Sequence, residues 1–182
     1  MSTNHSKRNL VKKKQQKAFR YIEESLSVID AEMALEYYDW LEKKTKYLKE
    51  SYFHLSYGSQ PDHLSRGDIV WVEFGINVGT ELSDVHTKGH FAVVWCVDLG
   101  NLVVIPLSSR DAPGSALTFD LGVIEGLNEE DNEQHSFLKL DAIRSISKRR
   151  IARMNGKKGG KLTLSIEKIQ LIEQAIRQSF LE

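Results

Sequence analysis

Cysteine occurs once in the 182 residues, as Cys96 inside an apolar run. No disulfide can close within the chain, no paired-cysteine metal site exists, and such a sequence suits a reducing compartment. By its neighbours, Cys96 is expected to be a small buried hydrophobe. Net charge is also missing, because 25 basic residues balance 25 acidic ones. The molecule as a whole has no electrostatic footprint for nucleic acid, so any such attraction must come from local clusters. No apolar run is long enough to span a bilayer. The basic N-terminus lacks the apolar stretch of a signal peptide, and a cytoplasmic location is the expectation. No helical segment carries a His-x-x-x-His pair, and neither a G-x-x-x-x-G-K-[ST] loop nor a G-x-S-x-G elbow occurs. Zinc-protease, nucleotide-hydrolysing and serine-hydrolase chemistries therefore lack their signatures, and neither a metal nor a cofactor is expected.

Proline and glycine are absent before Gly58. Residues Met1 to Arg20 hold seven Lys or Arg and no acid, densest at Lys12-Lys13-Lys14. Such a run is either a phosphate-attracting arm or a solvated helix start or tail. Tyr21 to Leu55 reads as helix, with Met33, Tyr37, Trp40, Leu41, Tyr47, Leu48 and Tyr52 near a 3.6-residue period. Ser27 or Asp30 can cap a start. Seven acids and no base lie between Glu23 and Glu42, and Lys43, Lys44, Lys46 and Lys49 follow, an order that suits the helix dipole. Gly58-Ser59-Gln60-Pro61-Asp62 stops the helix. The predicted division is a basic, helical extension over 1–60 and a second domain over 61–182.

That second domain reads as short strands. Arg66-Gly67-Asp68-Ile69-Val70-Trp71-Val72-Glu73-Phe74 is apolar on both faces, as in a strand buried on both sides. Gly75 to Gly89 is a polar loop. Phe91 to Val97 and Leu102 to Leu107 are strands around the turn Asp98-Leu99-Gly100-Asn101. Leu117 to Val123 alternates weakly, and Ser136 to Ser147 alternates as one longer strand after the acidic loop Glu125 to Gln134. A second basic cluster, Lys148-Arg149-Arg150, Arg153, Lys157, Lys158 and Lys161, reads equally well as an RNA contact or a solvated loop. Ser165 to Leu181 is a helix with one apolar stripe, Ile166, Ile169, Ile172, Ile176 and Phe180. No predicted helix between strands is long enough for a parallel crossover, so the sheet is expected to be antiparallel.

Five of these segments, in order, resemble the PemK/MazF family of toxin ribonucleases. They are Arg66 to Trp71, the loop Asn77-Val78-Gly79-Thr80-Glu81, the strand Phe91-Ala92-Val93-Val94, Ile105-Pro106-Leu107-Ser108-Ser109, and Phe137 to Arg150. The resemblance spans about two thirds of the chain and leaves out the helical extension. It implies a small SH3-like β-barrel with a C-terminal helix. It also implies a toxin of a type II toxin–antitoxin system: a hydrolase that cuts single-stranded RNA sequence-selectively without metal. Its partners would be an antitoxin, a second copy in a homodimer and, through the antitoxin complex, DNA.

The resemblance also implies the site. The family's Arg-Pro pair at the start of the second strand is His90-Phe91 here. An Arg is a permanent cation, whereas an imidazole exchanges protons near neutral pH. His90 is the expected acid or base, Ser108 the phosphate-holding hydroxyl, and Glu81 a second proton-transfer or loop-positioning group. His86, Lys88, Arg110 and Arg144 are the expected RNA contacts. The replacement of Arg by His90 keeps a second reading open, a non-catalytic protein of the same fold that acts by binding protein or RNA.

Overall fold

The computed structural model describes residues 2–84, 89–127 and 134–182. The chain forms two compact units, Met1–Lys46 and Tyr47–Glu182. The first holds α1 (Ser2–Leu26) and most of α2 (Ala31–Tyr52). Without glycine or proline to stop it, the basic N-terminal run is helical throughout, not only from Tyr21 as the periodicity predicts. The chain turns at Ser27 to Asp30. Asp30 caps α2, its Oδ1 accepting the Glu32 and Met33 N–H groups at 2.9 and 3.1 Å, as a short polar side chain does for orphan donors. No described helix is long and apolar enough to cross a membrane.

The end of α2 belongs to the second unit. Arg149 fixes residues 50–57 there, donating to the Leu55 and Ser56 carbonyls, approaching Glu50 to 3.5 Å and lying 4.8 Å over the Tyr57 ring. The helix stops at Tyr52, before Gly58 and Pro61, and the compact units divide earlier still, inside α2.

The rest of the second unit is an antiparallel eight-stranded sheet closed by a helix. Its strands are β1 (Asp68–Val72), β2 (His90–Val97), β3 (Asn101–Ser108), β4 (Thr118–Val123), β5 (His135–Lys139), β6 (Arg144–Ser147), β7 (Ile151–Ala152) and β8 (Leu162–Thr163), and α3 is Ile166–Phe180. The order is β4-β5-β3-β2-β1-β7, with β6 beside β3 and β8 beside β1. One flank of β3 pairs with β2, while the other pairs first with β6 and then with β5. That change of partner splits the pairing on this flank of β3, consistent with the barrel expectation. Ser136 to Ser147 is not one strand, because a 3-10 turn at Leu140–Ala142 separates β5 from β6.

Both faces of β1–β3 are buried. Ile69, Val93, Ile105 and Leu107 face one core, closed by Ile172 and Ala175 of α3. Val70, Val72, Ala92, Val94, Leu102 and Val104 face the other, with Phe74, Ile146 and Ile151. Ser165 caps α3, its Oγ accepting the Lys168 N–H at 3.4 Å. Gly67 has φ +86°, and a Cβ there would run into Ile169 of that helix. Cys96 is exposed, contrary to expectation. A bulge between Val94 and Cys96 shifts the register, and β2 runs past the edge of the core there.

Asp68 is fully buried at the start of β1. Its Oδ2 accepts from Lys161 Nζ at 2.6 Å and the Ser65 N–H at 2.7 Å, and its Oδ1 from Thr163 Oγ1 at 2.7 Å. Burial works against the charge, but these donors outweigh it and hold the carboxyl below the usual range. The stability it contributes is therefore complete above the ordinary carboxylate pKa and is lost as acid carries the pH through the depressed folded value. Asp68→Asn leaves Lys161 without its buried partner and should cost about 3 kcal/mol in urea unfolding near pH 7. The difference from wild type should shrink below about pH 4.

Candidate active site

β1 and β2 are joined by the polar loop, and its two ends meet at one carboxylate. Asp84 is buried. Its Oδ2 accepts the Gly75 N–H, and its backbone N–H returns a bond to the Gly75 carbonyl at 3.1 Å. Its Oδ1 stands 2.9 Å from His90 Nδ1. An ionised carboxylate only accepts, so Nδ1 carries the proton and Nε2 is left for chemistry. Asn77 gathers the same loop, its amide donating to the carbonyls of Phe74, Gly75 and Leu82 while its N–H reaches Ser83 Oγ at 2.9 Å. Gly89 has no room for a side chain, since a Cβ would strike the Trp71 indole and the Val72 carbonyl.

His90 opens β2 opposite Val72, with its side chain 22% exposed. Its ring meets Phe74 edge-on, with centroids 6.2 Å apart. The Arg144 guanidinium lies over that same Phe74 ring at 5.4 Å, a cation–π contact. Arg150 closes the far side, its Nε donating to the Glu73 carbonyl at 2.7 Å and its Nη2 to that of Phe74. Burial, helped by neighbouring Arg144, pulls Arg150 below the usual arginine range, against the pull of Asp84, Tyr47 and Glu73. Tyr47 donates its hydroxyl to Glu73, and burial together with that bond pushes it well above the ordinary phenol value.

Ser108 ends β3. Ala92 pairs with Pro106, and carrying that register two residues further brings Ser108 level with His90. Directly opposed residues of an antiparallel pair share a face, so both belong to the polar end of the face built on Val72 and Val104. The Ser108 hydroxyl donates to the Arg110 carbonyl at 3.1 Å and accepts the Arg110 N–H at 2.9 Å, which fixes the end of the strand.

The expected site residues thus divide. His90, Ser108 and Arg144 share one end of one face. Arg110 is exposed just past Ser108, and Glu81 is exposed on the turn of the loop. His86 and Lys88 lie outside the described residues. Asp84 and Arg150 are neighbours of these residues that the sequence reading misses. Nothing in the spacing of a loop aspartate announces that it will turn back onto a strand-opening histidine. Arg150 is masked by its basic neighbours.

Several of those neighbours are tied to the protein's own carbonyls and carboxylates, while Lys158 is exposed. Lys148 reaches the Leu99 carbonyl at 2.9 Å, Arg149 holds residues 50–57, Arg153 pairs with Asp62 at 2.7 Å, and Lys161 pairs with Asp68. A cleft of about 390 Å³ between Trp71, Phe91, Arg153 and Met154 opens on the opposite face of β1–β2. Among the described residues its polar lining is Arg153, Asn155 and Lys157. Among the described residues, no three His, Cys, Asp or Glu side chains converge as a metal site.

The Asp84–His90 bond makes a spectroscopic prediction. In ¹⁵N-histidine spectra, the neutral His90 ring should carry its proton on Nδ1, and Asp84→Ala should remove that preference. A wild-type ring protonated on Nε2 would contradict this geometry.

Comparison with curated proteins finds no match. Residues 65–180 match the family described as PemK-like, MazF-like toxin of type II toxin–antitoxin system. The match runs from the start of β1 to the end of α3 and takes in His90, Ser108 and Arg144; α1 and α2 lie outside it. A match over that share of the chain, on this curved antiparallel sheet with its C-terminal helix, places the protein in the PemK-like, MazF-like toxin family of type II toxin–antitoxin systems.

Proposed function

We propose that the protein is a toxin that cuts single-stranded RNA sequence-selectively, without metal, and leaves a 2′,3′-cyclic phosphate. The observation that carries this reading is His90, held at Nδ1 by buried Asp84 and level with Ser108 at the end of β3.

Cleavage needs a base for the ribose 2′-hydroxyl, an acid for the leaving 5′-oxygen and donors for the phosphoryl oxygens. Proton transfer by a positioned side chain contributes about 10²–10⁴-fold, and preorganised donors add a comparable factor. His90 Nε2 removes the 2′-hydroxyl proton as that oxygen attacks phosphorus. Asp84 fixes the ring's orientation and favours the imidazolium that forms, as the carboxylate of a Ser-His-Asp triad does. Ser108 turns its hydroxyl from the Arg110 carbonyl to a phosphoryl oxygen. Arg144, positioned over Phe74, and Arg110, beyond Ser108, supply positive charge to the backbone, with His86 and Lys88 as further RNA contacts from the loop. Glu81, out on the turn, serves the loop rather than the proton transfer.

The family membership supports the remaining parts of the reading. They are an antitoxin partner, a homodimer that binds RNA across paired barrels, DNA contact through the antitoxin complex and a cytoplasmic location.

The test is cleavage of a long RNA by the full chain in excess EDTA. Wild type should cut. His90→Ala should lose about 10²-fold or more, and Ser108→Ala about tenfold, the worth of one hydrogen bond to a charged group. Full activity of His90→Ala would remove it from the site. No cutting by wild type would favour a non-catalytic protein of the same fold.

A further inference from the structure

The face that carries His90 and Ser108 continues across two more strands. Ser108 pairs with Phe137 of β5, and Phe137 pairs with Asp120 of β4. Opposed residues share a face, and alternation along β5 puts His135 on it too, two residues from Phe137. The two rings stand 6.3 Å apart. His135 Nδ1 lies 2.7 Å from Asp120 Oδ2, and the other carboxylate oxygen accepts the Gly122 N–H at 2.7 Å. Ser108 is therefore flanked on one face by two imidazoles, each held at Nδ1 by an aspartate. His90 with Asp84 lies on the β2 side, and His135 with Asp120 on the β5 side.

The Asp120–His135 pair bridges β4 and β5 beside their register shift. Both side chains are about half exposed, and exposed ion pairs contribute little to stability. The charged groups around it favour an ionised Asp120. Partial burial opposes its charge, but the Gly122 N–H, His135 and then Lys168 of α3 outweigh that and hold its carboxyl below the usual range. Lys139, the other cation on this face of β5, is turned to Thr118 Oγ1 at 2.8 Å.

Displacement at phosphorus runs in line, so the attacking 2′-oxygen and the leaving 5′-oxygen lie on opposite sides of the phosphate. A proton acceptor and a proton donor must then stand on opposite sides of the phosphate seat. With Ser108 as the seat, His90 and His135 occupy those two sides. We propose that His135, positioned by Asp120, is the second proton-transfer residue and protonates the leaving 5′-oxygen. This rests on the ribonuclease reading above. The 2′-O–H proton passes to His90 Nε2 as the 2′-O–P bond forms. The P–O5′ bond breaks and O5′ takes the proton from His135 Nε2. The products are a 2′,3′-cyclic phosphate and a free 5′-hydroxyl, and the two rings return to their starting states by exchanging protons with water.

A leaving-group substitution tests the role. With sulfur in place of the bridging 5′-oxygen at the cleaved bond, the thiolate departs without an acid. On ordinary RNA, His135→Ala should be slower than wild type by about 10²-fold, and on the sulfur-bridged RNA it should approach the wild-type rate. Asp120→Asn should show the same rescue from a smaller loss, and His135→Gln should repeat it should the alanine variant fold poorly. His90→Ala should stay slow on both substrates. Wild-type speed of the His135 variants on ordinary RNA, equal slowing on both substrates, or rescue of His90→Ala instead would overturn this assignment and leave the ribonuclease reading standing. No cutting by wild type would overturn both.

Discussion

The three central strands are buried on both faces, and this constraint decides where chemistry can occur. A charge in the middle of such a ladder would lose its water on both sides at a cost of several kcal/mol. Ile69 to Val72, Ala92 to Val94 and Leu102 to Leu107 accordingly carry no charged side chain. Polar groups are displaced to the strand ends. At one end Asp68 enters the core with a full set of donors. At the other, His90 and Ser108 sit where β2 begins and β3 stops. Asp84 supplies the buried carboxylate there, satisfied by a backbone N–H and an imidazole rather than by a lysine. The first arrangement locks the fold. The second leaves one ring nitrogen unused among the described residues.

The basic residues follow the same logic. After β6 the chain carries a dense positive run, yet most of its described cations serve the protein's own carbonyls and carboxylates. Arg149 ties down residues 50–57, Arg150 closes the end of β1, and Arg153 and Lys161 neutralise Asp62 and Asp68. A zero net charge is therefore compatible with a phosphate-binding site, because local placement decides what a ligand meets. Arg144 likewise donates to a carbonyl, that of Ala142, but its guanidinium also lies over the Phe74 ring next to His90.

Much of the fold was legible because it rests on alternation and punctuation. The two-faced pattern of Ile69 to Phe74 gives β1, the turn at Asp98 to Asn101 gives the β2–β3 hairpin, and the stripe from Ile166 to Phe180 gives α3. Three features were not. The bulge at Trp95 needs one extra residue in a pairing partner, and sequence periodicity does not count partners. The turn at Leu140–Ala142 carries no glycine or proline, so the alternation appeared to run on to Ser147. The extent of α1 was lost because lysine-rich segments read alike as helix or tail. In the site, His90, Ser108 and Arg144 were named from the family resemblance. The placement of Asp84, Arg150, Asp120 and His135 near these residues is not legible, because it arises from register and loop closure, which join residues distant in sequence. Asp120 meets His135 only once β4 and β5 are paired, and Asp84 meets His90 only once the loop has closed.

The molecule that emerges is a double-sided apolar ladder with a polar rim, and the proposed ribonuclease chemistry takes place at that rim. Attack by the ribose 2′-hydroxyl is the step on which that account rests, and it can be probed in the substrate rather than the protein. Once a cleavage position is mapped, an RNA with a single 2′-deoxynucleotide immediately 5′ of the cleaved phosphate should resist the full chain completely while cuts elsewhere proceed. Cleavage at the deoxy-substituted position at the ordinary rate would mean that water or another nucleophile attacks, and would contradict the account.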